Sequence, residues 1–357
     1  MTRDREDVLG DALRDIDCVF ADAGRWEPLI RRAREGDLLG TLAHRLAERG
    51  LLQRVPDAPR AHLVAAQITF KAQETAVRRE VAEIAQALRQ VGTPVILLKG
   101  AAYLLARLPP SRGRFFSDID ILVPKVVLPA VESALMLAGF ATTHHHPYDQ
   151  RYYRRWMHEL PPMQHVKRMT VLDVHHTIVP ETAPVRLDAD KLFRSAIPLT
   201  GRDDFSVLAP ADMVLHSATH LFHNEELTHG LRDLVDIDAL LRHFGSDAHF
   251  WDDLVARAAE LDLGRPLYYA LRWTSRLLRT PVPAFATRAA ERHAPSAPVN
   301  WLMDVLLAPA LYPTADRRST RWARRGLYVR GHWLRMPMPL LAWHLTVKTF
   351  RREEQPA

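Results

Sequence analysis

Two aspartates one residue apart stand in the apolar run Asp118-Ile-Asp-Ile-Leu-Val123. Successive side chains of a strand point to opposite faces, so Asp118 and Asp120 share one face while Ile119 and Ile121 turn to the core. Two carboxylates that close repel each other unless positive charge lies between them. A divalent cation meets that need. Mg²⁺, or Mn²⁺ in its place, takes a couple of carboxylates and completes its shell with water and substrate phosphates. A third acid, Asp173, lies in Val171-Leu-Asp-Val-His-His-Thr-Ile178, alternating with Leu172 and Val174. If the two strands lie side by side, three carboxylates converge. Phosphoryl transfer by two metals requires such a cluster, one cation holding a triphosphate and the other activating the attacking hydroxyl.

The residues upstream fit the same chemistry. Pro94-Val-Ile-Leu-Leu98 reads as a short buried strand that ends in Lys99-Gly100. A glycine between a strand and a helix lets backbone N–H groups approach phosphate oxygens. Arg112 and Arg114, in the loop before the aspartate pair, can neutralise phosphate charge, and Lys99 can do so as a point charge.

These residues must be positioned by a strand–helix–strand–helix unit. After the first strand a helix is expected over 101–108, stopped by Pro109-Pro110. The Asp strand spans 118–123 and ends at Pro124, and an amphipathic helix over 125–138 is closed by Gly139. Residues 141–146 read as a strand. Residues 159–165 and 170–178 read as a hairpin around Val166-Lys-Arg-Met169. Residues 1–90 are helical in pattern, broken by the prolines of QRVPDAPRAH. From Pro210 the pattern is helical again, over 212–222, 231–244 and 252–261. The Pro/Ala-rich stretch 281–298 reads as a loop or linker. The expected class is α+β: a small mixed-sheet core over 91–200, a helical region over 1–90, and a second over 201–357 that ends in a basic tail.

The segments LLKGAA, RGRFFSDIDILV and VLDVHHTI together resemble the nucleotidyltransferase superfamily of polymerase beta, and more closely the bacterial family of uncharacterised nucleotidyltransferases. The likeness runs from the helices near residue 40 to the tail YVRGHWLRMPMPLLAWHL. It implies that Asp118 and Asp120 are metal ligands and that Asp173 is the third carboxylate, a ligand and the base for an acceptor hydroxyl. It implies that Gly100 and Ser117 line the triphosphate. One departure stands out: such enzymes often carry Gly-Gly or Gly-Ser after the first strand, where this chain has Gly100-Ala101. The implied reaction moves a nucleoside monophosphate from an NTP, expected to be ATP, to an acceptor that the sequence does not name. Small molecule, sugar, peptide and protein remain open.

Other readings are set against this one. The chain has 357 residues, 47% of them hydrophobic, enough for a substantial core. Cys18 is the single cysteine, so no intramolecular disulfide forms, and it has no histidine near it in sequence to make it a nucleophile. The N-terminus lacks the apolar core of a signal peptide, and no apolar run approaches the roughly 20 residues of a membrane span. A soluble cytoplasmic protein is expected. Gly-x-Ser-x-Gly, the Walker A loop and Gly-x-Gly-x-x-Gly are absent from the sequence. Among 18 histidines, His216, His220 and His223 share a helical face at zinc-like spacing without a matching acid or cysteine, so core roles are favoured. His144-His-His146 reads as exposed. His175 shares the face of Asp173, and Asp233 and Asp236 read as helix-pairing acids that can also close a nucleotide pocket.

The net charge is +6, yet the segment from Asp316 to Arg352 alone carries +9, which leaves about −3 elsewhere. That tail reads first as a solvated helical face. Three alternatives attach to it: a non-catalytic nucleotide-binding adaptor acting through the tail, a nucleic-acid-modifying enzyme gripping phosphates with it, and peripheral membrane contact through WLRMPMPLLAWHLTVK. Presence of all three carboxylates favours an enzyme over an adaptor. The Leu, Met and Pro around Trp322, Tyr328 and Trp333 point to packing at least as strongly as to nucleic acid, which stays open but not favoured.

Overall fold

The computed structural model describes residues 7–144, 146–223, 227, 229–312 and 318–335. Residues 316–317 and 336–357 of the basic tail, and His145, lie outside the described residues. Four helices come first: α1 (Val8–Arg14), α2 (Trp26–Glu35), α3 (Leu39–Glu48) and the long α4 (Asp57–Leu88). Then follow β1 (Ile96–Leu98), α5 (Lys99–Leu105), β2 (Asp118–Leu122), α6 (Leu128–Leu137), β3 (Phe140–Thr142), α7 (Pro147–Trp156), β4 (Met163–His165), β5 (Val171–His175), α8 (Asp190–Ser195), β6 (Ile197–Leu199) and β7 (Arg202–Val207). The chain closes with α9 (Pro210–His223), α10 (Gly230–Phe244), α11 (Phe250–Glu260), α12 (Gly264–Leu278), α13 (Ala284–Glu291), α14 (Ala297–Leu311) and α15 (Arg318–Arg335). The class is α+β, a mixed sheet flanked by helices.

The sheet has seven strands in the order β3-β4-β5-β2-β1-β7-β6 and continues past residue 200. Its centre is β2, antiparallel to β1 and parallel to β5. Ile96, Leu97 and Leu98 of β1 are all buried, as a strand covered on both faces requires. On β2, Ile119 and Ile121 are buried as the alternation demands. Helices α4 and α6 pack on each other, and α9 packs against α10, α11 and α12.

Several elements differ from the expected ones. The helix after β1 begins at Lys99, two residues early, with Lys99 at φ 45°. The strand expected over 141–146 is only Phe140–Thr142, because Pro147 starts an unforeseen helix, α7, where its fixed φ suits the first turn. The hairpin is present but shorter, turning through Met169 at φ 59°. The stretch 281–298 is no linker. Its prolines sit at helix starts, Pro283 capping α13 and Pro298 in the first turn of α14, and the alanines between them are good helix formers. The β6–β7 hairpin was not anticipated; it turns at Gly201, φ 76°.

One backbone contact fixes the loop that leads into β2. A Cβ on Gly40, at the start of α3, would lie 2.2 Å from the carbonyl oxygen of Gly113, and a Cβ on Gly113 would lie 2.2 Å from that of Gly40. Gly113 also has φ 76°. Only a pair of glycines allows this approach, and it anchors the loop carrying Arg112 and Arg114 to the N-terminal helices. Gly113→Ala is expected to lower unfolding stability by more than about 2 kcal/mol, through both strain and overpacking. Urea denaturation checks this, and an unchanged midpoint would mean that the two backbones can separate freely.

Candidate active site

The parallel register of β2 and β5 sets Asp118 beside Val171, Asp120 beside Asp173 and Leu122 beside His175. Asp120 and Asp173 are therefore direct cross-strand neighbours, and Asp118 lies two residues along the same face. The antiparallel register of β1 and β2 places Leu98 opposite Asp120, so Lys99 leaves β1 at the level of the acids. Its left-handed backbone turns the side chain back over the sheet, where Nζ lies 2.8 Å from Asp120 Oδ1.

Asp120 is buried and held from two sides. Besides Lys99, His175 Nε2 lies 3.1 Å from the same Oδ1. Burial opposes ionisation of Asp120, but Lys99 and His175 outweigh it and hold the carboxyl well below its usual range. Asp173 has the opposite fate. Its Oδ1 is buried without a hydrogen-bond partner. Burial first, then the charges of Glu159 and Asp120, push its carboxyl up to about 8. Asp118, partly exposed, accepts a hydrogen bond from Ser117 Oγ at 2.9 Å. The orphaned Asp173 oxygen, next to Asp120 across the two strands, is a buried polar group to which added positive charge would be matched.

In front of these acids lies a cavity of about 430 Å³ whose lining includes Lys99, Arg114, Ser117, Asp118, His220 and Arg232. Its far wall is α10, which also contributes Asp233 and Asp236. Arg114 is buried and donates Nε to Asp236 Oδ2 at 2.8 Å. Burial pushes the Asp236 carboxyl up to about 6 although Arg114 pulls it down, so the pair is charged at neutral pH. Gly100 packs under this arginine: a Cβ there would lie 2.5 Å from an Arg114 Nη. Its glycine is thus explained by the close approach of Arg114, a reason the sequence did not offer. Asp37, between α2 and α3, pairs with His229 at 2.7 Å at the start of α10, tying the N-terminal and C-terminal helices over the cavity.

The structure brings Asp118, Asp120, Asp173, Lys99, Gly100, Ser117 and Arg114 into one neighbourhood. Arg112 is turned away, to Glu48 at 2.9 Å. His175 lies under Asp120. Asp233 and Asp236 both line the cavity. Among the described residues, His216, His220 and His223 do not converge as ligands; His220 faces Asp233 at 3.7 Å. Cys18 is half-buried and its thiol is pushed up by burial, the reverse of an activated nucleophile. Sequence reasoning missed His158 and Glu159, whose approach to His175 depends on a loop with no periodic signal. A larger cleft, about 810 Å³, lies elsewhere between α9 and α11; its buried acid, Asp212, is already matched by Arg257 and Ser195.

Acids thus gather on the two central strands of the sheet, and Asp118 opens onto a cavity that Lys99 and Arg114 also line. Residues 22–279 match the family described as uncharacterised nucleotidyltransferase, and the chain belongs to it. That match stops at Arg279, short of the tail to which the likeness was expected to extend. No curated protein and no solved structure matches the chain. No helix among the described residues is long and apolar enough to cross a membrane.

Two outcomes follow from the geometry. A carboxyl raised on folding costs stability; the cost is absent below its ordinary value near 4 and complete above about 8. Asp173→Asn removes it, so in the presence of chelator the variant is expected to melt higher than wild type, with a larger gain at pH 8 than at pH 5. Calorimetric melting at both pH values reads this, and an equal or reversed difference would refute the raised carboxyl. Arg114→Ala strands a buried carboxylate and is expected to cost about 3–5 kcal/mol, much of it recovered in Arg114→Met/Asp236→Leu. Denaturant titration of the single and double variants measures the recovery.

Proposed function

We propose that the chain transfers a nucleoside monophosphate from an NTP, ATP in the first instance, to an acceptor hydroxyl or phosphate, with release of pyrophosphate. The observation that carries this is the cross-strand pairing of Asp120 with an Asp173 whose Oδ1 has no partner, with Asp118 on the same face. On this reading Asp118, Asp120 and Asp173 hold Mg²⁺ or Mn²⁺, and the site is of the polymerase-beta-like kind. When bound, the cation would neutralise triphosphate charge and lower the pKa of the attacking hydroxyl.

The protein's own residues do the rest. Ser117 fixes the rotamer of Asp118 through its hydrogen bond. Lys99, which lines the cavity and pairs with Asp120, would supply a point charge for phosphate oxygens. Arg232 and Arg114 give the α10 side of the cavity its positive potential, although each is already paired, Arg114 to Asp236 and Arg232 to Asp233. Asp173, proton-bearing near neutral pH in the structure, would be a ligand of the cation and, as a carboxylate, the base for the acceptor hydroxyl. Helices α9 and α10 wall the cavity with Ser217, His220 and Asp233. Catalysis on this plan is positioning plus charge neutralisation. NTP as substrate and a lone cysteine suit a cytoplasmic setting.

Calorimetry with the four NTPs, with and without Mg²⁺, tests the reading on wild type and on Asp118→Asn/Asp120→Asn. Wild type is expected to bind at least one NTP only with metal, and the double variant to bind it at least about 100-fold more weakly, a loss of about 2.7 kcal/mol, with its fold intact. Absence of NTP binding under any divalent cation, or equal binding by the double variant, would remove the basis for the reading.

A further inference from the structure

His175 is buried between two acids. Its Nε2 lies 3.1 Å from Asp120 Oδ1 and its Nδ1 lies 3.4 Å from Glu159 Oε2. Lys99 keeps Asp120 ionised, so Asp120 accepts and Nε2 carries the proton. Nδ1 faces the Glu159 carboxylate oxygen without a hydrogen bond to it. An imidazole nitrogen and a carboxylate oxygen at this separation in a buried place favour positive charge between them.

A third donor completes the group. His158 Nε2 lies 3.9 Å from the same Glu159 oxygen, and the rings of His158 and His175 are 5.2 Å apart. One ligand atom from each of His158, Glu159 and His175 lies within 4.8 Å of the others. The placement is structural, not a chance of long side chains. Glu159 and His175 form an antiparallel bridge, Leu160 N donates to Val174 O, and His176 N donates to His158 O, both at 2.9 Å. The strap 158–160 is thereby tied to the end of β5, and His158 and Glu159 are presented to His175.

We propose that His158, Glu159 and His175 form a transition-metal site, separate from the three aspartates, with Zn²⁺ as its preferred occupant. With ligand bonds of about 2.1 Å, the 3.4 Å separation of His175 Nδ1 and Glu159 Oε2 subtends a roughly tetrahedral angle. His158 Nε2, at 3.9 Å from the Glu159 oxygen, needs to close on it by about half an ångström to match that separation. Two imidazoles and one carboxylate suit zinc, whereas Mg²⁺ prefers an all-oxygen shell. Asp120 accepting from the far nitrogen of His175 is the carboxylate–histidine–metal relay that fixes the tautomer of a ligating histidine. The site would lock the strap onto β5 and, through His175, set the orientation of Asp120. It does not rest on nucleotidyl transfer.

The test uses the full chain without a tag, stripped with chelator and titrated with Zn²⁺ in excess Mg²⁺. Wild type and Asp118→Asn are expected to bind one tight equivalent. His158→Ala and Glu159→Gln are expected to bind it at least about 100-fold more weakly, with melting curves that show a folded chain; His158→Gln replaces His158→Ala if the latter melts early. Failure of wild type to bind tightly overturns the site. So does unchanged affinity in the His158 and Glu159 variants. Loss of binding in Asp118→Asn as well would put the zinc on the aspartate face and overturn the separate site, while leaving the reading of that face standing.

Discussion

Everything in this structure turns on negative charge gathered on one face of the central sheet. Asp118, Asp120 and Asp173 are placed there by the β2–β5 register, and Glu159 comes close behind them. Buried carboxylates of this density demand compensation. The chain supplies part of it. Lys99 adopts a left-handed backbone, at a cost of about 1–3 kcal/mol, to reach Asp120, and His175 approaches from below. Compensation stops short of Asp173, whose free oxygen marks where further positive charge belongs.

The same logic extends into the cavity. Arg114 crosses from the loop before β2 to Asp236 on α10, and Gly100 is a glycine because that guanidinium passes directly over it. The Gly40–Gly113 contact holds the loop from the other side, and Asp37 with His229 joins the N-terminal helices to α10. The flanking helices are therefore parts of the site, positioning its wall and its arginine. The matched family region, 22–279, includes all of these contacts and excludes α13 to α15.

Much of this was legible in the sequence. The Asp-x-Asp strand, the third acid and the glycine after the first strand carry strong local signals, because period-two alternation and a strand–Gly–helix turn are short-range features. The helices expected over 212–222, 231–244 and 252–261 were equally readable from their periodicity. What escaped reading was set by contacts distant in sequence. Helix α7 hid behind a His-rich stretch, and α13 behind prolines that start helices as readily as they break them. The partner of Arg114 lies 122 residues away. The approach of His158 and Glu159 to His175 depends on an isolated bridge that no pattern announces. Family resemblance supplied the class of chemistry; the physical reasons for Gly100 and Lys99 came only from the fold.

The most direct test is a crystal structure of the chain with Mn²⁺ and a non-hydrolysable NTP, with the metal located by its anomalous signal. The account requires a peak within coordinating distance of Asp118, Asp120 and Asp173, with Lys99 moved off Asp120 toward phosphate. An aspartate face without metal, with Lys99 still paired to Asp120 and the nucleotide absent or bound elsewhere, would contradict it.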